Sequence, residues 1–168
     1  MIPARRITAP FALTLALLSL GGCQQAAQDE TKAATTGAPE SKPGLSVAEG
    51  KFLLPAVSGN PGAAYFLIDN ESNGTVSIAS IAIAGVGKTE IHQTMGGSMK
   101  PIDRIDVEPK ITLKFERGGL HVMAFEVNGS LKAGETTEMT ITFADGDKLS
   151  APLKIEAMGA AMDHGDGH

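Results

Sequence analysis

Apolar residues along most of the chain recur at every second position. Val76, Ile78, Ser80 and Ala82 alternate with Thr75, Ser77, Ala79 and Ile81, and Ile111, Leu113 and Phe115 alternate more cleanly with Lys110, Thr112, Lys114 and Glu116. A two-residue period marks a strand with one face buried. The same reading predicts strands at Ala64–Asp69, Leu120–Val127, Thr137–Phe143 and Lys148–Ala157, another near Ser46–Leu54, and one that ends at His92. Asn73-Gly74, Arg117-Gly118-Gly119, Asn128-Gly129, Ala133-Gly134 and Asp145-Gly146-Asp147 supply glycine where a tight turn needs positive φ. Pro152, inside the last strand, predicts an edge position because proline cannot donate to a ladder. No segment holds a 3.6-residue period. Seven or so short strands with regular turns predict an all-β fold, an antiparallel β-sandwich or Greek-key barrel.

Composition divides the 168 residues into four segments. In residues 1–22, Arg5 and Arg6 precede an apolar run from Phe11 to Leu20 and then Gly21-Gly22, the order of a secretory signal. That run is too short for a permanent span, which needs about 20 apolar residues. Leu20-Gly21-Gly22-Cys23 resembles a bacterial lipobox, which predicts a lipidated Cys23 at the mature N-terminus, anchored to the cell envelope; an ordinary signal beside a stray thiol is the alternative. Residues 23–43 are poor in large apolar side chains and read as a flexible tether. Residues 44–158 are long enough for one independent core. With no Trp and one Tyr, that core is aliphatic with a few Phe. Residues 159–168 form a tail that holds Met162, His164 and His168.

Loss of residues 1–22 removes two of the 14 basic residues and none of the 19 acidic ones, leaving a net charge of −7. No basic stripe is present, which argues against nucleic acid as a partner.

The candidate chemistry is carried by histidine and methionine. His121 and Met123 are two apart on a predicted strand and so share a face. His92 closes another strand, and a loop from Gln93 to Ser98 leads to Met99. Imidazole and thioether together suit Cu(I), whereas magnesium or calcium would require oxygen donors. Thioethers also survive an oxidising compartment that would consume thiols. Taken alone, a His-x-Met pair equally fits side chains that merely pack in the sandwich.

The joint pattern resembles the periplasmic copper chaperone family PCu(A)C, whose motif runs His, ten residues, Met, twenty-one residues, His, one residue, Met. Met99 and His121 enclose 21 residues, and Leu120-His121-Val122-Met123 supplies the His-x-Met. Arg117-Gly118-Gly119-Leu120-His121-Val122-Met123 is similar to the family's Pro-Gly-Gly-Tyr-His-x-Met. Leu131-Lys132-Ala133-Gly134-Glu135 is similar to its Leu-Lys-x-Gly-Asp turn. One departure is that His92 and Met99 enclose six residues where the family has ten, and Met95 lies between them as a competitor or a fifth, labile donor.

The resemblance implies a cupredoxin-like sandwich with His92, Met99, His121 and Met123 as Cu(I) ligands. It also implies delivery in the periplasm to the copper centre of a respiratory oxidase subunit, or to another copper chaperone. Met162, His164 and His168 are extra donors under the same resemblance, as a second site for Cu(II); a solvated terminus is the other reading. A blue-copper site would need a cysteine thiolate, and Cys23 is the only cysteine. No nucleophile–base pairing compels an enzyme. A copper buffer or scavenger, and a metal-free adhesion or assembly sandwich, are the rival functions.

Overall fold

The computed structural model describes residues 40–158, so Cys23, most of the expected tether, and Met162, His164 and His168 lie outside the described residues. Ten strands follow in chain order: β1 (Leu45–Leu54), β2 (Gly62–Asn70), β3 (Val76–Ile83), β4 (Val86–Met95), β5 (Ser98–Pro101), β6 (Ile105–Val107), β7 (Ile111–Phe115), β8 (Leu120–Val127), β9 (Thr136–Phe143) and β10 (Lys148–Ala157). They hydrogen-bond in the order β5-β4-β8-β7-β2-β1-β10-β9-β3-β6, and β2 also pairs with β8 beyond the short β7. The sheet curls until β3 packs against β4, where Thr89 Oγ1 donates to the Ile81 carbonyl. The result is a closed sandwich around one core.

Two strand pairs are parallel, β1 with β10 and β7 with β8, where the sequence predicts antiparallel pairing throughout. Period-two patterning carries no strand direction and does not register a bulge: the register shifts between Ile78 and Ser80, so that Ile81 and Ile83 are buried beyond it in place of the expected Ser80 and Ala82. The core is as the composition requires. Phe52, Phe66, Phe115 and Phe143 are fully buried among Ile68, Ile78, Met139, Ile141, Leu153 and Ile155. Phe66 and Phe115 stack with ring centroids 4.2 Å apart at 15°. Asn70, the one deeply buried amide among the described residues, donates from Nδ2 to the carbonyls of Val107 (2.9 Å) and Gly74 (2.9 Å), and its Oδ1 accepts from the Ser72 N–H (3.0 Å). Its polar atoms are thus satisfied.

Pro152 does not mark an edge strand, because β10 runs between β1 and β9. Ser150, two residues earlier and so on the same flank, turns its N–H away from β9 to the Glu40 carbonyl (2.8 Å). Pro152 therefore directs its hydrogen-less nitrogen toward β1, where a bulge between Ala48 and Lys51 interrupts pairing. Parallel pairing with β1 starts only at Lys154. Gly50 lies in that bulge, and a Cβ there would stand 2.6 Å from the Pro152 carbonyl oxygen.

The folded unit also starts earlier than the expected boundary at Gly44. Lys42 forms ion pairs with Asp145 and Asp147, and its ammonium lies 5.2 Å from the Phe143 ring centre. The last residues of the expected tether are therefore fastened to the β9–β10 hairpin.

Removal of the buried Phe66–Phe115 stack by Phe115→Ala is expected to cost about 3–5 kcal/mol. Urea unfolding followed by circular dichroism should show a lower midpoint with little change in slope.

Candidate metal centre

The geometry of the site is set by the register of β4 on β8. Ile91 faces Val122 across the ladder and both turn into the core, so the next pair, His92 and His121, turns to the outer face directly opposite one another. Their ring centroids are 5.9 Å apart. One ion bonded to a nitrogen of each ring, at the roughly 2.0–2.1 Å of metal–imidazole bonds, can span that separation.

Both thioethers share this face. Met123 is two residues beyond His121 and opposite Glu90. Met99 is opposite Thr94, itself two residues beyond His92. The expected loop from Gln93 to Ser98 is instead a hairpin: β4 continues to Met95, β5 starts at Ser98, and only Gly96 and Gly97 turn, at φ of 57° and 81°. Positive φ at both central residues is the twist that a two-residue hairpin favours, and glycine adopts it without strain. Met99 is thus carried on a strand and is 52% exposed. Met95 has the other parity. It turns to the opposite face of the ribbon, where it lines a groove with Gln93, Ser98 and Lys100, away from His92.

The two rings are held by hydrogen bonds that leave one nitrogen free on each. His121 Nδ1–H donates to the Gly119 carbonyl at 3.0 Å, and His92 Nε2–H donates to Glu90 Oε2 at 2.9 Å. A neutral imidazole protonated at one nitrogen carries its lone pair on the other. Those other atoms, His92 Nδ1 and His121 Nε2, are both buried and have no partner among the described residues. Buried polar atoms are seldom left without one. Two unprotonated nitrogens on directly opposed residues, with thioethers on the same face, are the donor types that a soft cation takes.

His121 is only 4% exposed although its face is the outer one. Tyr65, from β2, packs beside it with ring centroids 6.5 Å apart, and the Arg117 guanidinium lies 5.9 Å over the Tyr65 ring. Among the described residues, no group of three or more His, Cys, Asp and Glu side chains is placed to hold a metal. Donors beyond the two imidazoles would therefore be the methionines. Glu90 and Tyr65 are parts of the site that the sequence reading did not pick out. The signal for Glu90 was present, since a residue two before His92 shares its face by the argument that joins His121 to Met123.

A family described as "Putative lipoprotein LpqE-like" matches residues 45–155, which is the folded segment. The chain belongs to the LpqE-like family. The LpqE-like chain is also 26% identical over 98 residues to the uncharacterized protein RP573 of Rickettsia prowazekii (strain Madrid E). That match takes in 55% of this chain, which spans about half (54%) of the relative's length. Among solved structures, it is similar to the copper-bound PCuAC domain from PmoF2, with 17% identity, a TM-score of 0.60, 73% of this chain and 100% of that one. The apo PCuAC domain from PmoF1 gives 20% identity, a TM-score of 0.60, 72% of this chain and 100% of that one. The Cu(I) form of DR1885 from Deinococcus radiodurans gives 22%, 0.57, 76% and 85%. At these identities the likeness shows the fold: the LpqE-like chain has the cupredoxin-like β-sandwich of PCuAC domains.

The hydrogen bonds set opposite tautomers on the two rings. Long-range ¹H–¹⁵N correlation spectra of the metal-free protein at neutral pH should show His92 protonated at Nε2 and His121 at Nδ1. The same tautomer on both rings would contradict the geometry.

Proposed function

We propose that this domain is a copper chaperone that holds one Cu(I) between His92 Nδ1 and His121 Nε2, completes its coordination with Met123 and Met99, and passes the ion to another protein. The observation that carries the reading is the pair of buried, unpartnered nitrogens on directly opposed residues. The thioethers favour copper in its monovalent state, since soft sulfur suits Cu(I) better than harder divalent ions. The copper-bound PmoF2 domain and the Cu(I) form of DR1885 share the fold and support the same reading.

Release follows from exposure. Met99 lies at the solvent edge on a strand carried by a two-residue turn, so an incoming thiolate or imidazole can displace it first and then take the ion from the more enclosed imidazoles. No unfolding is required. This is the chemistry of a carrier, in which nothing is transformed. The acceptor we propose is the copper site of a respiratory oxidase subunit or another copper chaperone. The lipoprotein description of the family supports a Cys23 lipid anchor and a periplasmic position, which would confine the search for an acceptor to the membrane surface. The donors proposed outside the described residues, Met162, His164 and His168, would form a separate Cu(II) site. Met95 would remain outside the coordination sphere.

Competition against a chromophoric Cu(I) chelator should give one tight Cu(I) per chain. Met123→Leu, Met99→Leu and His121→Ala should each weaken it, His121→Ala by more than the roughly 10–100-fold that loss of a partner outside the coordination sphere costs. Unchanged affinity in His121→Ala would refute the assignment. A chaperone, as opposed to a buffer, should also metallate an apo-oxidase subunit faster than the chelator-bound ion does.

The acid dependence has a definite sign. The imidazoles bind metal as neutral rings, so protonation competes with Cu(I), and affinity must fall as pH falls. The same titration repeated across the acid range should show this fall in the intact site and a shallower one in His121→Ala, which has one ring fewer to protonate.

A further inference from the structure

Alternate residues of β4 place Lys88, Glu90 and His92 in one row on the outer face. The row is bonded end to end. Lys88 Nζ lies 2.7 Å from Glu90 Oε1, and Glu90 Oε2 accepts from His92 Nε2–H at 2.9 Å. Both carboxylate oxygens are therefore engaged. Lys88 is itself steadied by Phe125, the residue opposite it on β8, whose ring centre lies 5.7 Å from the ammonium. The Glu90 carboxylate is thus shared between the Lys88 ammonium on one oxygen and the His92 ring on the other. Glu126 acts on Lys88 only through space and more weakly.

This arrangement bears on which ion the site accepts. Two neutral imidazoles and two thioethers contribute softness but no charge, so the nearest fixed charges add to or subtract from the preference for a monovalent ion that the sulfurs set. An uncompensated carboxylate one hydrogen bond behind a ligating ring would favour the divalent ion, because its attraction scales with the charge of the ion. A free carboxylate oxygen would also be a hard donor able to swing toward the metal. Lys88 opposes both effects, by cancelling the charge and by occupying Oε1.

We propose that Lys88 is a specificity-determining residue, which neutralises and tethers Glu90 so that the site prefers Cu(I) to divalent cations. This rests on the reading that an ion sits between His92 and His121. The role is one of charge and positioning, since Lys88 itself touches no metal ligand.

The test compares Cu(I) affinity, from chelator competition, with Zn(II) affinity, from a zinc indicator, in four proteins: unaltered, Lys88→Gln, Glu90→Gln and the double variant. Lys88→Gln should raise the Zn(II)-to-Cu(I) affinity ratio by roughly three- to thirty-fold, the span of Coulomb energies between aqueous and surface-like screening. Glu90→Gln, which keeps an acceptor for His92, should lower the ratio, and the double variant should return toward the unaltered value. Because Lys88 is well exposed, the shifts should shrink at high salt. In the metal-free state, His92 should stay protonated at Nε2 in all four, showing that ring position is kept. An unchanged ratio, or single variants that move it in the same direction, would overturn the role of Lys88 while leaving Cu(I) binding intact. Failure of the unaltered protein to bind Cu(I) would instead overturn the functional reading.

Discussion

The antiparallel ladder between β4 and β8 is the constraint on which the rest depends. Its register decides that His92 meets His121, that Met123 and Glu90 lie one step along the same face, and that Ile91 and Val122 anchor that face to the core. A slip of one residue would turn His92 inward and bring Ile91 out. Such a slip is opposed by the burial of Ile91 and Val122, each of which would lose its apolar surroundings. The core therefore specifies the proposed metal centre without contributing an atom to it. The stacked Phe66 and Phe115 and the satisfied amide of Asn70 secure β2 and β7, the strands that flank β8 on its other side.

Much of this was legible in the residues. Alternation at 111–115 and 76–82 marked the strands, although the bulge after Ile78 left no trace in it, and the glycine-containing pairs marked the turns, because both signals act over a few residues. The shared face of His121 and Met123 needed only their spacing. The opposition of His92 and His121 is different in kind: it is a long-range pairing, and no local pattern states which strand will lie beside which. Strand direction was likewise invisible, so the parallel pairs β1–β10 and β7–β8 emerged only in the folded chain. Pro152 shows a local rule overtaken by context. Proline does exclude a ladder bond, but the gap it needs is supplied inside the sheet by a bulge in β1.

The segment from Gln93 to Ser98 holds Gly96-Gly97 at its centre and shows no apolar alternation that would distinguish a loop from a hairpin. In the structure those two glycines are the whole turn, and the residues on either side pair as strand. The reading of Met95 as a rival to Met99 follows from the same ambiguity, since a flexible loop could present either sulfur, whereas a hairpin presents only one on the side of His92. Glu90 offers no imidazole or thioether, so a reading built on those donors has no place for it. Here the carboxylate holds the His92 ring from behind, with Lys88 holding it in turn.

The hairpin between β4 and β5 also limits how this part of the chain can vary in length. Opposed residues are kept opposed only when both arms grow or shrink together, so insertions and deletions that preserve the orientation of Met99 come in even numbers, shared equally between the two sides of the turn. The six residues here and the ten of the PCu(A)C motif differ by four, two for each arm. A change by an odd count would either add a bulge or invert the sulfur. Relatives with other spacings can thus be sorted by arithmetic into those that keep this sulfur on the side of His92 and those that turn it away.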